Sequence, residues 1–158
     1  MASTSKFTRR RWLTAYAPLF IWIGVIFFMS SSQGSMSETS RFIRPILKFL
    51  FPDAADFTLQ LYHGYIRKFA HFFEYAVLAI LASITFLRST SPILGKYFWA
   101  AALLLIILVA ASDEFNQSFN QLRTSSIWDV LLDAAGGVFG VAAVYLVVRV
   151  GRRRRAVP

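Results

Sequence analysis

The sequence predicts an all-α membrane protein: a bundle of four transmembrane helices with a partly helical outer loop and both chain ends in the cytoplasm. Of its 158 residues, 56% are hydrophobic, which leaves too little polar surface to cover a water-soluble globule of this size. Four apolar stretches approach the length of about 20 residues that a helix needs to cross the hydrocarbon layer. Most of the 17 Lys and Arg residues flank those stretches, as is typical of membrane proteins.

The predicted spans cover residues 12–30, 69–87, 97–115 and 127–148. The first could instead be a cleaved signal peptide, because a basic start followed by an apolar run is common to both. Its apolar run from Leu13 to Met29 is long for a signal peptide, and the residues that follow make an imperfect cleavage site. We therefore expect the first span to be retained.

Basic residues assign the two sides of the membrane by the positive-inside rule. They are concentrated in the N-terminal residues 1–11, in the loop after the second span, and around the tail 150–158. These regions are predicted to be cytoplasmic and to flank a membrane domain at residues 12–149. The tail is interpreted as an anchor against anionic lipid. No soluble basic domain or surface of alternating aromatic and basic residues indicates nucleic-acid binding. All 8 acidic residues fall on the outer side.

The long outer loop, residues 33–66, contains an amphipathic segment at 41–51. Its basic residues recur at spacings of three and four with apolar residues between them, which predicts a short helix in the membrane interface. Ser37 or Thr39 is the predicted N-cap, and Pro52 marks the predicted exit. Two roles remain open for this segment: a lid over the bundle, or a guide for an amphiphilic substrate.

The second span carries ionisable residues at membrane depth. His71 precedes Glu74 and Tyr75 by three and four residues, which places the three side chains on one face of a helix. Glu74 lies six residues beyond Lys68, or about 9 Å along the helix axis at 1.5 Å per residue. Glu74 is therefore expected below the lipid headgroups.

The third and fourth spans carry acids at the same outer level. In the third span, Gln117 lies within one helical turn of Asp113 and Glu114. In the fourth, spacings of four, three and four place acidic and small residues on one stripe: Asp129, Asp133, Gly136 and Gly140. Small residues let two helices approach closely, so this stripe is predicted to face a partner helix.

Carboxylates inside a membrane cost roughly 2.5 to 3.5 kcal/mol each to insert, so they usually face the bundle interior and find partners there. We therefore expect one polar cavity, open to the outer face. The residues predicted to line its wall are His71, Glu74, Tyr75, Asp113, Glu114, Gln117, Asp129 and Asp133. Those predicted at its rim are Arg67, Lys68 and Arg123. Each residue alone also has an ordinary structural explanation, such as pairing with a neighbouring lysine.

Three separated motifs resemble one known family. They lie at residues 68–78 (KFAHFFEYAVL), 112–117 (SDEFNQ) and 123–140, and in this order they resemble the VanZ-like family of bacterial integral membrane proteins. Asp133 departs from the family pattern, which often has Asn there, and residues 119–121 replace a common Pro-Gly. The resemblance implies a multi-pass protein of the bacterial cytoplasmic membrane. The family's named member is associated with low-level resistance to the glycopeptide teicoplanin, but no reaction is established for the family.

Three classes of function fit these residues. A binding or accessory module would capture a lipid-linked or amphiphilic envelope molecule, a drug or a partner's transmembrane helix in the polar cavity. An enzyme would act on a lipid-linked substrate, with Arg67, Lys68 and Arg123 meeting a phosphate or carboxylate. A transporter is disfavoured, because the cytoplasmic halves of the spans contain no acid or histidine.

The enzyme hypothesis assigns catalytic roles to His71, Glu74, Asp113 and Glu114. His71 would act as a general acid or base, since the unperturbed pKa of histidine lies near working pH. The carboxylates would orient it or, together with His71, hold a divalent cation. The sequence does not identify a metal, a substrate or an oligomeric state.

Overall fold

The computed structural model describes residues 2–31, 36–118 and 127–155, and the side chains of residues 13–31, 37–117 and 127–152. Within these ranges the chain is helical and contains no strand. The helices are α1 (Ala2–Ser30), α2 (Met36–Leu50), α3 (Asp56–Leu87), α4 (Pro92–Lys96), α5 (Phe98–Ser118) and α6 (Ile127–Arg155). The prediction of an all-α protein is confirmed.

Four of these helices are long and apolar enough to cross a membrane: Leu13–Ser30 in α1, Asp56–Leu87 in α3, Phe98–Gln117 in α5 and Ile127–Arg152 in α6. This agrees with the predicted number and order of spans. The predicted second span, residues 69–87, is the later part of a longer helix, because hydropathy marks only the most apolar part of a helix. α3 begins at Asp56, and its first turns bury Leu59 and His63, so a segment assigned to the outer loop is helical.

α2 is the amphipathic helix predicted in the outer loop, and it packs against the first turns of α3. The prediction of its N-cap was wrong: the helix begins at Met36, so Ser37 and Thr39 lie inside its first turn. Thr39 is used in packing instead, because its Oγ1 shares a hydrogen bond of 3.0 Å with Nε2 of His63. The predicted exit agrees with the structure, since α2 ends at Leu50.

α3 is the central helix of the bundle and packs against α1, α2, α5 and α6. Its contact with α6 is a contact between backbones. A Cβ atom added at Gly136 would overlap the backbone oxygen of Phe72, and one at Gly140 would overlap that of Ala76. The prediction that this small-residue stripe faces a partner helix is confirmed. Gly137 faces α5 instead, where an added Cβ would lie 2.7 Å from Ile106.

Side-chain hydrogen bonds to backbone oxygens show that α1 runs antiparallel to α3. Midway along α1, Thr85 Oγ1 donates to the Ala15 oxygen over 2.9 Å, and about two turns later Trp22 Nε1 donates to the Glu74 oxygen over 2.9 Å. The end of α1 therefore lies beside the part of α3 that contains Glu74. We call this end of the bundle, where α1 and α5 end and α6 begins, the polar end.

Candidate functional site

Five polar side chains meet at the polar end, and we call them the polar cluster: His71, Glu74, Asp113, Gln117 and Asp133. His71 Nδ1 lies 3.6 Å from Glu74 Oε2 and 3.9 Å from Asp133 Oδ1. One potential ligand atom from each of His71, Asp113 and Asp133 lies within 4.8 Å of the other two. The structure thus brings together ionisable groups from α3, α5 and α6.

The local sequence explains why Asp133 reaches α3. Asp133 lies three residues before Gly136, and therefore on the same face of α6. Because Gly136 has no side chain, the backbone of α6 can lie directly against Phe72 of α3. His71 is the neighbour of Phe72 in the chain, so the close approach of the two helices carries the Asp133 carboxylate to the imidazole. The glycine stripe is therefore part of the site's construction.

A chain of buried hydrogen bonds links α5 to α1. Gln117 Nε2 donates to Asp113 Oδ2 over 2.9 Å and to Ser30 Oγ over 2.6 Å. All three side chains are buried. Asp113 and Gln117 were predicted to lie within one helical turn of each other, but Ser30 was not among the predicted site residues. Its position as the last residue of the first predicted span, at the level of the acids, was the signal that could have identified it.

Several polar atoms of this region are buried without a hydrogen-bond partner among the described residues: Oδ1 of Asp113, Oδ1 of Asp133 and the hydroxyl of Tyr75. Asp113 is 1% exposed, Asp133 4% and Tyr75 0%. No Lys or Arg in the described part of the chain forms an ion pair with Asp113 or Asp133. Buried polar atoms in proteins are nearly always paired, so these atoms are suited to a ligand.

The other predicted site residues lie around the polar cluster. Glu114 and Asp129 are half-buried and close enough to interact electrostatically with Asp133. Arg67 is half-buried and lies four residues before His71 on the same face of α3, whereas Lys68 is exposed. Arg123 lies outside the described residues. Trp22, which was not predicted, supports the site by donating to the backbone oxygen of Glu74.

The polar cluster has an accessible edge and a buried floor. The side chains of His71 and Glu74 keep 24% and 19% of their surface exposed, whereas both aspartates are buried. A ligand would therefore meet His71 and Glu74 first. The exposed aromatic pair of Phe69 and Phe73, with ring centres 4.6 Å apart, lies on another face of α3.

This arrangement supports three kinds of chemistry. Unpaired carboxylate oxygens accept hydrogen bonds from hydroxyl, amide or ammonium groups. Imidazole and carboxylate side chains can share a divalent cation. A histidine next to carboxylates can also exchange a proton with a bound molecule.

The VanZ/LLP1 family model matches residues 15–149 of the chain. No curated protein and no solved structure shows a significant match. The family match extends over the apolar spans of α1, α3 and α5 and most of α6, and it includes every residue of the polar cluster. The chain therefore belongs to the VanZ/LLP1 family, in agreement with the VanZ-like motifs of its sequence.

Proposed function

We propose that the protein is a binding protein of the bacterial cytoplasmic membrane, in which the polar cluster captures the polar group of an amphiphilic or lipid-linked envelope molecule. One observation carries this proposal: carboxylates from two helices are buried beside His71, each with an oxygen that has no hydrogen-bond partner among the described residues. Packing alone does not require such a group, because an apolar residue of similar volume is often as stable or more stable.

The chemistry of the polar cluster favours a ligand rich in hydrogen-bond donors. Glu74, Asp113 and Asp133 all present acceptors, and sugar or peptide groups present hydroxyl and amide donors to match them. Arg67, one helical turn beyond His71 toward the start of α3, supplies a cation where a phosphate between headgroup and lipid would lie. Lys68 and Arg123 are proposed to add positive charge at the same level.

The surroundings of the polar cluster favour a ligand that also has a lipid chain. At the contact between α3 and α6, the ring of Phe72 packs on the exposed ring of Phe139, with centres 5.8 Å apart. An acyl chain could lie along the apolar surface of the bundle while the polar group reaches His71. A fully water-soluble ligand would leave this surface unused.

Mass spectrometry of co-purified lipids tests the proposal. Protein extracted directly into lipid nanodiscs is expected to retain an envelope lipid that Asp133→Asn loses at least tenfold. Asp56→Asn is the matched control, because Asp56 is an exposed α3 acid outside the polar cluster that pairs with Arg44. Equal lipid content in the wild type and both variants would refute the proposal.

The proposal extends to glycopeptide resistance or maintenance of the envelope. Expression of the chain in a teicoplanin-sensitive bacterium is expected to raise the inhibitory concentration of teicoplanin, and Asp133→Asn is expected to remove the increase. If the increase persists in Asp133→Asn at equal expression, resistance does not depend on the polar cluster.

A second candidate is a membrane enzyme, which is favoured by the position of His71 between two carboxylates, 3.6 Å from Glu74 and 3.9 Å from Asp133. Carboxylates so placed can orient an imidazole for proton transfer, as a general acid or base requires. The envelope lipid profile distinguishes the two functions. Accumulation of a lipid-linked intermediate in His71→Gln cells indicates an enzyme, whereas loss of bound lipid with an unchanged profile indicates a binding protein.

A further inference from the structure

We infer that His71, Asp113 and Asp133 together bind a divalent transition-metal ion of the zinc or manganese type. This inference rests on the proposed function, because the ion would lie in the polar cluster and take part in binding the amphiphile. It differs from the proposed function in naming the ion, its three protein ligands and the part of the amphiphile that the ion would bind.

The three potential ligand atoms already lie close to the spacing that such an ion requires. Bonds of about 2.1 Å to nitrogen and oxygen keep any two ligand atoms within about 4.2 Å of each other. The ligand atoms of the three residues lie within 4.8 Å, and His71 Nδ1 is 3.9 Å from Asp133 Oδ1. Small side-chain rotations would therefore complete the site. The ligands come from α3, α5 and α6, whose close packing holds their backbones in place.

The hydrogen bonding of Asp113 independently indicates a ligand. Its Oδ2 is held by Gln117 Nε2 over 2.9 Å, and Gln117 is held in turn by Ser30. Its Oδ1 is buried without a hydrogen-bond partner among the described residues. One oxygen is thus oriented by a neighbouring donor while the other stays available, which is the usual environment of a carboxylate that binds a metal.

Asp133 gives a second such indication. The Asp133 Oδ1 that faces His71 is also buried without a hydrogen-bond partner among the described side chains. The described part of the chain places no Lys or Arg in an ion pair with either aspartate. Two carboxylates and a neutral imidazole carry a charge of −2, so one divalent cation would neutralise the three ligands.

The types of ligand select the class of ion. Calcium takes six to eight oxygen ligands, and magnesium usually keeps most of its water. A buried set that contains an imidazole instead suits zinc or manganese. Three protein ligands also leave a coordination position open, as in zinc sites that bind a reactant. The open position would take a phosphate, carboxylate or hydroxyl oxygen of the amphiphile, which explains how an acidic cluster could hold an anionic headgroup.

Equilibrium dialysis of the purified full chain in nanodiscs tests this inference. After removal of metal with EDTA, the protein is dialysed against micromolar ZnCl₂ or MnCl₂, and bound metal is measured by elemental mass spectrometry. The expected result is one ion per chain, with affinity reduced at least tenfold in His71→Gln, Asp113→Asn and Asp133→Asn. If the protein bound calcium or magnesium as tightly as zinc or manganese, the choice of ion would be overturned.

Two matched variants control for nonspecific binding. His63→Gln removes the other histidine of the chain, and Asp56→Asn removes another acid of α3. Both variants are expected to bind metal as the wild type does. Asp133→Asn is expected to fold, because Asn has nearly the same size and shape as Asp and adds no buried charge, so the test does not depend on Asp113→Asn. Wild-type protein that binds no more metal than folded Asp133→Asn would overturn the inference.

The lipid measurement separates failure of this inference from failure of the proposed function. If EDTA-treated protein binds no zinc or manganese but still retains lipid in an Asp133-dependent manner, the metal site is refuted and the binding function stands. If metal binds at the three residues but no lipid is retained, the metal site stands and the proposed function fails. Cobalt(II) provides a further readout, because its visible spectrum reports on the ligands without any amphiphile.

Discussion

The molecule contains two places where a histidine of α3 meets an element packed against that helix, and their polar groups are paired very differently. At the contact between α2 and α3, His63 shares a hydrogen bond with Thr39, and Arg44 pairs with Asp56 over 2.8 Å. At the polar cluster, His71 lies 3.6 Å from Glu74 and 3.9 Å from Asp133, and Asp113 and Asp133 each bury an oxygen that has no hydrogen-bond partner among the described residues. The contact between α2 and α3 pairs donors with acceptors and serves packing. The polar cluster holds an excess of acceptors, which packing does not explain.

The largest expected effect concerns the glycine stripe of α6 that brings Asp133 to His71. Gly136→Leu would force the added side chain against the Phe72 backbone and is expected to cost about 3 kcal/mol, the upper end of the usual cost of overpacking. Thermal unfolding in detergent measures the loss. Gly24→Leu is the control, since an added Cβ there would meet nothing within 4 Å. Equal stability of both variants would contradict a backbone contact between α3 and α6.

The next largest effect concerns the support of Asp113. Gln117→Leu removes the donor to both Asp113 and Ser30 and is expected to cost about 2 kcal/mol, because the buried Asp113 carboxylate loses the hydrogen bond to its Oδ2. Metal affinity is expected to fall as well, since Asp113 loses its orientation. The neighbouring Asn116 is exposed, so Asn116→Leu is expected to change neither the unfolding temperature nor metal binding. A Gln117→Leu protein with normal metal affinity would show that this bond does not position Asp113.

Asp133→Asn tests the comparison most directly, because it should improve stability while removing function. In metal-free protein it is expected to add roughly 1 kcal/mol to the free energy of unfolding, since a buried carboxylate is costly and no Lys or Arg of the described residues pairs with Asp133. Metal and lipid binding should be lost in the same protein. Asp56→Asn, which removes the partner of Arg44, should show no such gain. If Asp133→Asn instead destabilised the protein, the Asp133 carboxylate would have favourable partners in the fold, as His63 has in Thr39.

The smallest effect is expected at the contact between α2 and α3. Thr39→Val removes the hydroxyl that bonds to His63 and is expected to cost about 1 kcal/mol. The loss should appear as faster hydrogen exchange in α2, with metal and lipid binding unchanged. Ser40→Ala is the control, because the Ser40 hydroxyl bonds only within α2, to the Ser37 oxygen. A Thr39→Val protein that loses lipid would give α2 a direct part in binding, as a guide for the amphiphile.

The predictions from sequence that agreed with the structure rest on properties of single segments. The four spans follow from the length of apolar runs, and the amphipathic α2 follows from its spacing of basic residues. The level of the acids follows from their distance to the span ends, and the close approach at Gly136 follows from the spacing of small residues. Each of these patterns lies within one segment, so the structure it predicts does not depend on how the other segments pack. The first turns of α3 were not predicted as a helix, because Leu59 and His63 become buried only when the helices pack together.

The sequence by itself determined the class of the protein, the number of its spans and the end of the bundle at which its acids lie. Only the tertiary structure decided which acids face each other: Asp113 is buried in the cluster while the adjacent Glu114 is half-buried. It also decided that Ser30 would reach Gln117 across 87 residues of sequence. Neighbouring residues on a helix point about 100° apart, so which of them turns inward depends on the helix that packs against them, and no single segment contains that information.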